Sequence, residues 1–277
     1  MHPPFSQRRH LFEFGDQPWL TGWGREYYLD CLNTGLRLGG QFSSLHRVVS
    51  AWAARGQRRE ILDLGSGGGG PIVTLLRAAA RDGATLPRII LSDLYPSAAH
   101  YEALKQEVGA DRLDYVAEPV SALDVTRRDI RLRSICSSFH HFRPADAQAL
   151  VEDAIRHSDG LLIVEPLQRN LRHFLLVLLS GPLPYMAAPF LAARWSWRRL
   201  LLCTLLPVFP LLVMFDGCVS VLRSYRRAEL EAMIPHEARA GWQMDFTELP
   251  YGGLFATTCF ALSRKQAAAG DTATSGR

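Results

Sequence analysis

A single stretch decides the fold that this sequence predicts: Ile61-Leu62-Asp63-Leu64-Gly65-Ser66-Gly67-Gly68-Gly69-Gly70-Pro71. Its short apolar run is typical of a buried parallel strand, and the glycines that follow predict a tight loop. A helix tolerates proline in its first turn, so Pro71 indicates that a helix begins after the loop. Because glycine has no Cβ, the loop backbone can adopt positive φ and lie against a ligand whose acidic group meets the N–H groups at the helix start.

The spacing of these glycines fits two classes of ligand. Gly65, Gly67 and Gly70 satisfy the G-x-G-x-x-G fingerprint of dinucleotide binding, which is weak evidence when it stands alone. The same loop satisfies D-x-G-x-G-x-G when it is counted from Asp63 through Gly69, and an ionised carboxylate suits a cationic ligand better than a pyrophosphate. The pattern resembles the first motif of the class I S-adenosylmethionine-dependent methyltransferases, in which the acid helps to hold the methionine end of the cofactor.

Two further strand ends complete the predicted cofactor site. The second strand, 88–93, ends in Asp93, which is placed either to accept hydrogen bonds from ribose hydroxyls or to cap a helix. The third strand, 113–116, precedes a polar turn where this fold contacts adenine, with Ser121 and Asp124 as alternative contacts. For S-adenosylmethionine the resemblance implies a binding set of Asp63, Gly65, Ser66, Gly67, Gly69, Asp93, Leu94, Val120, Ser121 and Ser138.

The fourth strand, 132–137, is followed by a turn that carries two histidines, Ser138-Phe139-His140-His141-Phe142-Arg143-Pro144. Ligands of open α/β sheets bind beyond the carboxyl ends of the strands, so this turn is expected to face the cleft. It resembles the Asn-x-x-His-His-Phe turn of small-molecule methyltransferases, with Ser137 in place of the more usual asparagine. His140 and His141 are the candidate catalytic residues, either as a general base or as groups that line the sulfonium pocket and hydrogen-bond the loop. No metal is expected, because adjacent side chains diverge and no other His or Cys cluster is near in sequence.

The order of the predicted elements indicates the whole fold. Two helices between residues 25 and 55 precede five βα units, and a hairpin of two strands, 242–249 and 254–263, ends the domain. A terminal hairpin is a methyltransferase trait, whereas dinucleotide folds continue with a parallel strand. We therefore predict an α/β, Rossmann-like class I methyltransferase fold: a mostly parallel sheet with a terminal antiparallel hairpin, N-terminal helices and a hydrophobic helical insertion. The predicted parts are an N-terminal arm and helices (1–58), the methyltransferase domain (59–263) with its insertion (168–222), and a disordered tail (264–277).

Composition limits the function without naming the acceptor. The 31 basic and 27 acidic residues give a net charge of +4, too mild to indicate nucleic acid. The five cysteines are scattered, so neither a disulfide framework nor a zinc site is indicated. Because the N-terminus lacks the apolar core of a secretory signal, we expect the protein in the cytoplasm or on the cytoplasmic face of a membrane. The oligomeric state cannot be read from the sequence.

The insertion contains two long apolar runs, 174–193 and 200–215, separated by Arg194-Trp195-Ser196-Trp197-Arg198-Arg199. Prolines interrupt both runs, and the second is shorter than the ~20 residues that a crossing helix needs. The pattern favours helices that lie in a bilayer surface, and the alternative is an apolar lid over the cleft. On the first interpretation the arginines that face anionic lipid are Arg169, Arg172, Arg194, Arg198 and Arg199.

The sequence thus predicts methyl transfer from S-adenosylmethionine to a small, hydrophobic acceptor, with peripheral membrane contact through 168–222. The chain resembles bacterial family members of similar length that have an aromatic start, here Phe12 to Trp19, and a hydrophobic insertion after the fifth strand. Two alternatives remain: a nicotinamide-dependent oxidoreductase, and a protein that binds S-adenosylmethionine without transferring its methyl group. Whether oxygen, nitrogen, carbon or sulfur is methylated cannot be read from the residues.

Overall fold

The structure is a computed structural model that describes residues 5–56, 59–192 and 195–265. Its strands are β1 (Glu60–Leu64), β2 (Arg88–Ser92), β3 (Leu113–Tyr115), β4 (Leu132–Cys136), β5 (Gly160–Glu165), β6 (Trp242–Tyr251) and β7 (Phe255–Arg264). They form one sheet in the order β3-β2-β1-β4-β5-β7-β6. The first five are parallel, and β7 is antiparallel to both β5 and β6, so the predicted sheet with its terminal hairpin is confirmed.

Helices cover both faces of this sheet. The α-helices are α1 (Gly22–Gly39), α2 (Leu45–Gly56), α3 (Gly70–Arg81), α4 (Ala98–Val108), α5 (Pro144–His157), α6 (Leu171–Ser180), α7 (Ala188–Leu191), α8 (Trp197–Leu200), α9 (Val208–Arg223) and α10 (Arg227–Ala232). Short 3₁₀ turns span Phe139–His141, Leu183–Tyr185 and His236–Gly241, and a π-helical turn spans Leu201–Leu205. Neighbouring strand residues point to opposite faces, so Ile61 packs in one buried cluster with α2 and α3, whereas Leu62 packs in another with α5 and α10.

The chain order places the ligand cleft at the carboxyl ends of β1 and β4. From β1 the chain continues outward to β2 and β3, and it then returns to β4 on the other side of β1. Such a reversal is the switch point of an open α/β sheet, where loops diverge and leave a crevice. The glycine loop after β1 and the histidine turn after β4 both lie at this point.

The insertion folds onto α1. Tyr28 and Cys31 of α1 belong to one buried cluster with Cys203, Phe209 and Val213 of the insertion. In the part of the chain that the structure describes, no single helix is long and apolar enough to cross a membrane. Two pairs of consecutive helices meet the length and composition criterion only jointly, and they are bent by 60° and 52° at their breaks.

The predicted arrangement of the insertion's arginines is wrong in two places. Arg169 is buried and its guanidinium lies 2.8 Å from the Glu229 carboxylate. Arg199 is also buried, and it pairs with Glu26 at 2.6 Å and with Asp30 on α1. Both therefore attach the insertion to the protein instead of facing lipid. Arg172 and Arg198 are exposed, and Arg194 lies outside the described residues.

The C-terminal boundary also differs from the prediction by one residue. Arg264, placed in the tail by the sequence, is the last residue of β7, and the N–H of Lys265 donates to the carbonyl of Gly241 at 2.8 Å. Residues 266–277, the rest of the predicted tail, lie outside the described residues.

Candidate active site

The glycine loop lies between β1 and α3. Gly65, Gly67 and Gly69 all have positive φ, of 65°, 53° and 68°. A Cβ on Gly65 would lie 2.9 Å from the Oγ of Ser138, whereas a Cβ on Gly67 would meet nothing within 4 Å. The loop is therefore packed against the β4 turn on one side and leaves open space beside Gly67, into which a ligand can fit.

Asp63 supports this loop from below. Its side chain is 1% exposed, and its two carboxylate oxygens accept hydrogen bonds from Ser66 at 2.7 Å and Ser134 at 2.6 Å. Burial raises the pKa of Asp63 to about 6. Asp63 therefore positions the glycine loop through its hydrogen bond with Ser66. Its carboxylate is buried because the central strand that carries it is covered on both faces. Direct contact between Asp63 and the methionine end of a cofactor stays a prediction.

Asp93 lies beside the open part of the loop. One carboxylate oxygen accepts from the N–H of Gly67 at 2.8 Å, and the other accepts from the N–H of Tyr95 at 2.8 Å. The alternative role of Asp93 as a helix cap does not fit, since Ser97 precedes the first residue of α4. The half-buried carboxylate is thus held at the glycine loop, and its contact with a ribose stays a prediction.

The other predicted cofactor residues line the same edge of the sheet. Val120 is buried and its N–H donates to the carbonyl of Asp93 at 2.8 Å. Ser121 uses its Oγ to accept a hydrogen bond from the N–H of Leu123 at 3.2 Å, in the turn before Asp124. Leu94 is exposed at the rim. These contacts bring the predicted set together but do not decide between Ser121 and Asp124.

Three residues that sequence reasoning missed hold the loop from above. The side chain of Asn33 on α1 lies where a Cβ on Gly70 would be, at 2.1 Å. Tyr101 donates to the carbonyl of Gly67 at 2.7 Å, and the Nε2 of His100 lies 3.0 Å from the carbonyl of Gly68. The loop conformation is therefore fixed by α1 and α4 as well as by β1.

His140 forms a buried pair with the last residue of β5. Its Nδ1 lies 2.8 Å from Glu165 Oε2, and its backbone N–H donates to Glu165 Oε1 at 3.0 Å. A carboxylate accepts only, so in neutral His140 the proton is on Nδ1 and the lone pair is on Nε2. Both residues line the cavity described below, which makes His140 a geometrically suitable base.

His141 contacts a different set of acids, supplied by the N-terminal arm. Its Nδ1 lies 2.6 Å from Asp16 and 3.3 Å from Glu13. Arg223 of α9 joins them, with Nη1 2.6 Å from Asp16 and 3.1 Å from Glu13. Burial acts to raise the pKa of Asp16, but hydrogen bonds from His141 and Arg223 hold it well below its usual range. His141 is therefore fixed in a network of charges, whereas His140 keeps Nε2 for a ligand.

Two contacts attach the arm to the site. Asp216 of α9 accepts from the N–H groups of Phe14 and Gly15, both at 2.8 Å. Arg8 donates to the carbonyls of His140 at 2.7 Å and Phe142 at 2.8 Å, so the arm also fixes the backbone of the histidine turn. The arm therefore carries charged groups into the cleft.

The reason given for excluding a metal is wrong. The rings of His140 and His141 do not diverge: their centroids are 4.2 Å apart, and with Glu13 they offer ligand atoms within 4.8 Å of one another. The guanidinium of Arg223 already supplies positive charge next to Glu13 and His141. Electrostatic repulsion from Arg223 disfavours a metal cation here, and the absence of a metal site stays a prediction.

A cavity of about 400 Å³ lies beyond the histidines. Its floor includes Ser137, His140 and Glu165 at the ends of β4 and β5, and its walls come from α1, α6, α9 and the hairpin turn. The wall residues are mostly apolar, including Leu32, Val177, Val213 and Phe255. A cavity of this size, with a few polar groups converging at one end, is typical of a small-molecule site.

Ser137 has a strained backbone. Its φ is 59°, a value that glycine and asparagine tolerate better than serine, and this explains why asparagine suits the position in the turn it resembles. We expect Ser137→Gly to raise the free energy of unfolding by about 1 kcal/mol and the melting temperature by roughly 2–4 °C. The measurement is thermal unfolding alongside Ser138→Gly, whose φ of −142° offers no strain to relieve. An equal or larger gain in Ser138→Gly would contradict the strain.

Glu13 should make stability depend on pH. The side chain is 2% exposed, and burial raises its pKa from 4.5 to about 7. Between these values the folded protein retains a proton that the unfolded chain loses, so stability falls as pH rises and the loss is complete above pH 7. Glu13→Gln should therefore gain stability relative to wild type as the pH is raised from 5 to 8.5. The gain in the free energy of unfolding should be about 3 kcal/mol at most, and it is measured as a rise in melting temperature relative to wild type. Exposed Glu118→Gln is measured in parallel as the surface control, and a decreasing difference from wild type for Glu13→Gln would mean that its pairing with Arg223 outweighs burial.

Part of the cavity could have been read from the sequence. Glu165 ends β5 much as Asp93 follows β2, and an acid at a strand end was the signal used for Asp93. Asp216 is the only acidic residue between 168 and 222, and a lone acid in an apolar run indicates a buried partner. Glu13 and Arg223 gave no such signal.

Comparisons with known proteins bear on the fold. No family model and no curated protein matches the chain. Among solved structures, the plantazolicin methyltransferase BpumL in complex with SAH is 12% identical, with 89% of this chain and 92% of that chain covered and a TM-score of 0.54. The magnesium protoporphyrin IX methyltransferase ChlM from Synechocystis PCC 6803 with bound SAH is also 12% identical, covering 89% and 97%, with a TM-score of 0.50. At such identity the likeness shows the fold, and the predicted class I methyltransferase fold is confirmed.

Proposed function

We propose that this chain, which has the fold of the class I S-adenosylmethionine-dependent methyltransferases, transfers a methyl group from that cofactor to a small hydrophobic acceptor. One observation carries the proposal: the cavity begins beside the first glycine of the glycine loop. Ser137 lines the cavity, and the next residue, Ser138, contacts Gly65 of the loop. A donor on the loop and an acceptor in the cavity would meet at the carboxyl end of β4. That BpumL and ChlM are described with SAH supports the same cofactor here.

The residues of the loop fit this cofactor. Gly67 leaves open space where a side chain would stand, and Asp93 places a carboxylate next to it for ribose hydroxyls. When bound, S-adenosylmethionine supplies an electrophilic methyl group on a positively charged sulfur. An acid in the position of Asp93 would serve the ribose of a dinucleotide equally well, so the terminal antiparallel hairpin is the feature that disfavours the nicotinamide alternative.

His140 would remove the acceptor's proton. Glu165 accepts a hydrogen bond from Nδ1–H and so fixes the ring with Nε2 as the base. Alignment of the reactants in a dry cavity can contribute ~7–11 kcal/mol, and a general base adds ~10²–10⁴-fold where the acceptor is a hydroxyl. The Glu165–His140 pair therefore favours an acceptor whose proton must be removed, such as a hydroxyl on an apolar ring. His141, in its network with Asp16, would position the turn.

The apolar walls favour a hydrophobic acceptor. Leu32, Val177 and Val213 would exclude water from the reacting groups and give apolar atoms of the acceptor a favourable environment. Many such compounds partition into membranes, and we include in the proposal that the reaction takes place at a membrane surface, as the apolar runs of the insertion predicted.

Calorimetric titration tests the cofactor, and a labelled-methyl screen tests the transfer. We expect S-adenosylmethionine and S-adenosylhomocysteine to bind, and neither NAD nor NADP to do so; the reverse result would overturn the assignment. Apolar hydroxylated compounds are then incubated with the protein and methyl-labelled S-adenosylmethionine. Cofactor binding without transfer to any acceptor, in the presence and absence of vesicles, would favour the non-catalytic alternative.

A further inference from the structure

Helix α9 is apolar on two opposite sides. Val213 and Gly217 on its inner side line the cavity, while Leu211 and Phe215 on its outer side are exposed. An apolar helix normally buries its whole surface, against protein or against lipid. The inner side of α9 is accounted for by the cavity, and the outer side has no such explanation.

The segment around the end of α6 repeats this arrangement. Ser180 and Pro184 line the cavity. Their neighbours Leu179 and Leu183 are 77% and 72% exposed, the highest values among the exposed large apolar side chains of the described residues. One thin segment therefore separates the cavity from an outward-facing apolar surface.

The N-terminal arm extends the same surface. Phe14 packs on Phe215 and Trp19, with ring centroids 5.5 and 6.3 Å apart, and Trp23 packs on Phe209 at 6.2 Å. The two tryptophans are nevertheless exposed, Trp19 by 62%. We call this surface the apolar face, formed by Trp19, Trp23, Leu179, Leu183, Leu211 and Phe215 with their exposed apolar neighbours.

The charges around the apolar face are mainly positive, because Glu26, the exposed acid near Trp23, pairs with Arg199. Arg172 and Arg198 are exposed. Asp216, the only acid of the insertion, is buried, and the arm's acids, Glu13 and Asp16, pair with Arg223. Arginines beside exposed tryptophans and leucines are typical of segments that lie in the headgroup region of an anionic bilayer.

We propose that the apolar face docks on a bilayer containing anionic lipid, and that the cavity behind it receives the acceptor from that bilayer. A second copy of the chain fits less well, because a symmetric contact would bring like-charged arginines together at the interface. The inference of docking depends only on the residues of the apolar face, whereas delivery of the acceptor rests on the proposed methyl transfer.

Flotation with vesicles tests the docking. The full chain is mixed with vesicles of phosphatidylcholine, either pure or containing phosphatidylglycerol, and the floating fraction is measured. We expect flotation that is stronger with phosphatidylglycerol and weaker in high salt. Leu179→Gln/Leu183→Gln should lower partitioning at least tenfold, and Arg172→Glu/Arg198→Glu should remove the preference for anionic lipid. Met244→Gln, an exposed apolar residue on β6, should float like wild type.

Melting temperature and S-adenosylhomocysteine affinity are measured for every variant, and both should equal those of wild type. Wild type that binds S-adenosylhomocysteine but does not float would overturn the docking and the membrane-surface part of the proposed function, and would leave the proposed methyl transfer standing. Flotation without binding of S-adenosylhomocysteine would support docking and remove the function. A dimer in sedimentation that Leu179→Gln/Leu183→Gln converts to monomer, with no flotation of wild type, would assign the face to a second copy and overturn the bilayer.

Discussion

Replacing His140 by alanine is expected to lower turnover by ~10²–10⁴-fold while the affinity for S-adenosylhomocysteine changes by no more than a few-fold. The imidazole is buried between Glu165 and the cavity, and it lies outside the glycine loop that would hold the cofactor. Removing it would take away the base and leave the cofactor contacts intact. The measurement is single-turnover methyl transfer with an acceptor from the labelled-methyl screen, combined with calorimetry.

Two variants separate this chemistry from loss of structure. Glu165→Gln keeps the shape of the pair but replaces the carboxylate that orients Nδ1–H, so we expect a smaller loss of turnover and a changed pH profile. His236→Ala, an exposed histidine in the 3₁₀ turn before β6, should retain wild-type turnover. An unchanged rate in His140→Ala at saturating acceptor would show that the cavity needs no base at this position.

The sheet could be predicted because its strands carry local, redundant signals. The apolar run of β1 and the similar run of β5 are bounded by glycine or acid, and they need only length and composition to be recognised. The environment of the insertion could not be predicted in this way, because an apolar run has the same composition whether it packs against protein or against lipid. The burial of Arg169 and Arg199 depends on Glu229 and on acids of α1 that are far away in sequence.

The candidate active site likewise has a part that the sequence predicts and a part that it does not. The glycine loop and the histidine turn are each encoded within a few residues, so their types and spacing predicted where they lie. The acidic half of the cavity depends on pairs distant in the chain, such as the N–H of Phe14 and the carboxylate of Asp216, 202 residues apart. No local pattern encodes a contact of that range, so the charged contacts of the arm could not be predicted from the sequence.

Replacing Gly67 by valine is expected to abolish binding of S-adenosylhomocysteine, by at least 100-fold in calorimetry. The residue has φ of 53°, which costs a residue with a Cβ about 1–2 kcal/mol, and the new side chain would fill the open space next to Asp93. The backbone strain lowers stability, whereas the new side chain blocks the ligand. Melting temperature and affinity must therefore be measured together.

Gly83→Val is the matched control for this variant. Gly83 also has positive φ, 67°, and a Cβ there would also meet nothing within 4 Å, but it lies in the turn between α3 and β2, at the other end of the sheet. Both variants should lose a similar amount of melting temperature, because they suffer the same strain. Only Gly67→Val should lose binding, since only Gly67 faces the proposed cofactor. Equal affinity in the two variants would remove the glycine loop from the binding site, and with it the physical basis for placing a methyl donor at the end of β1.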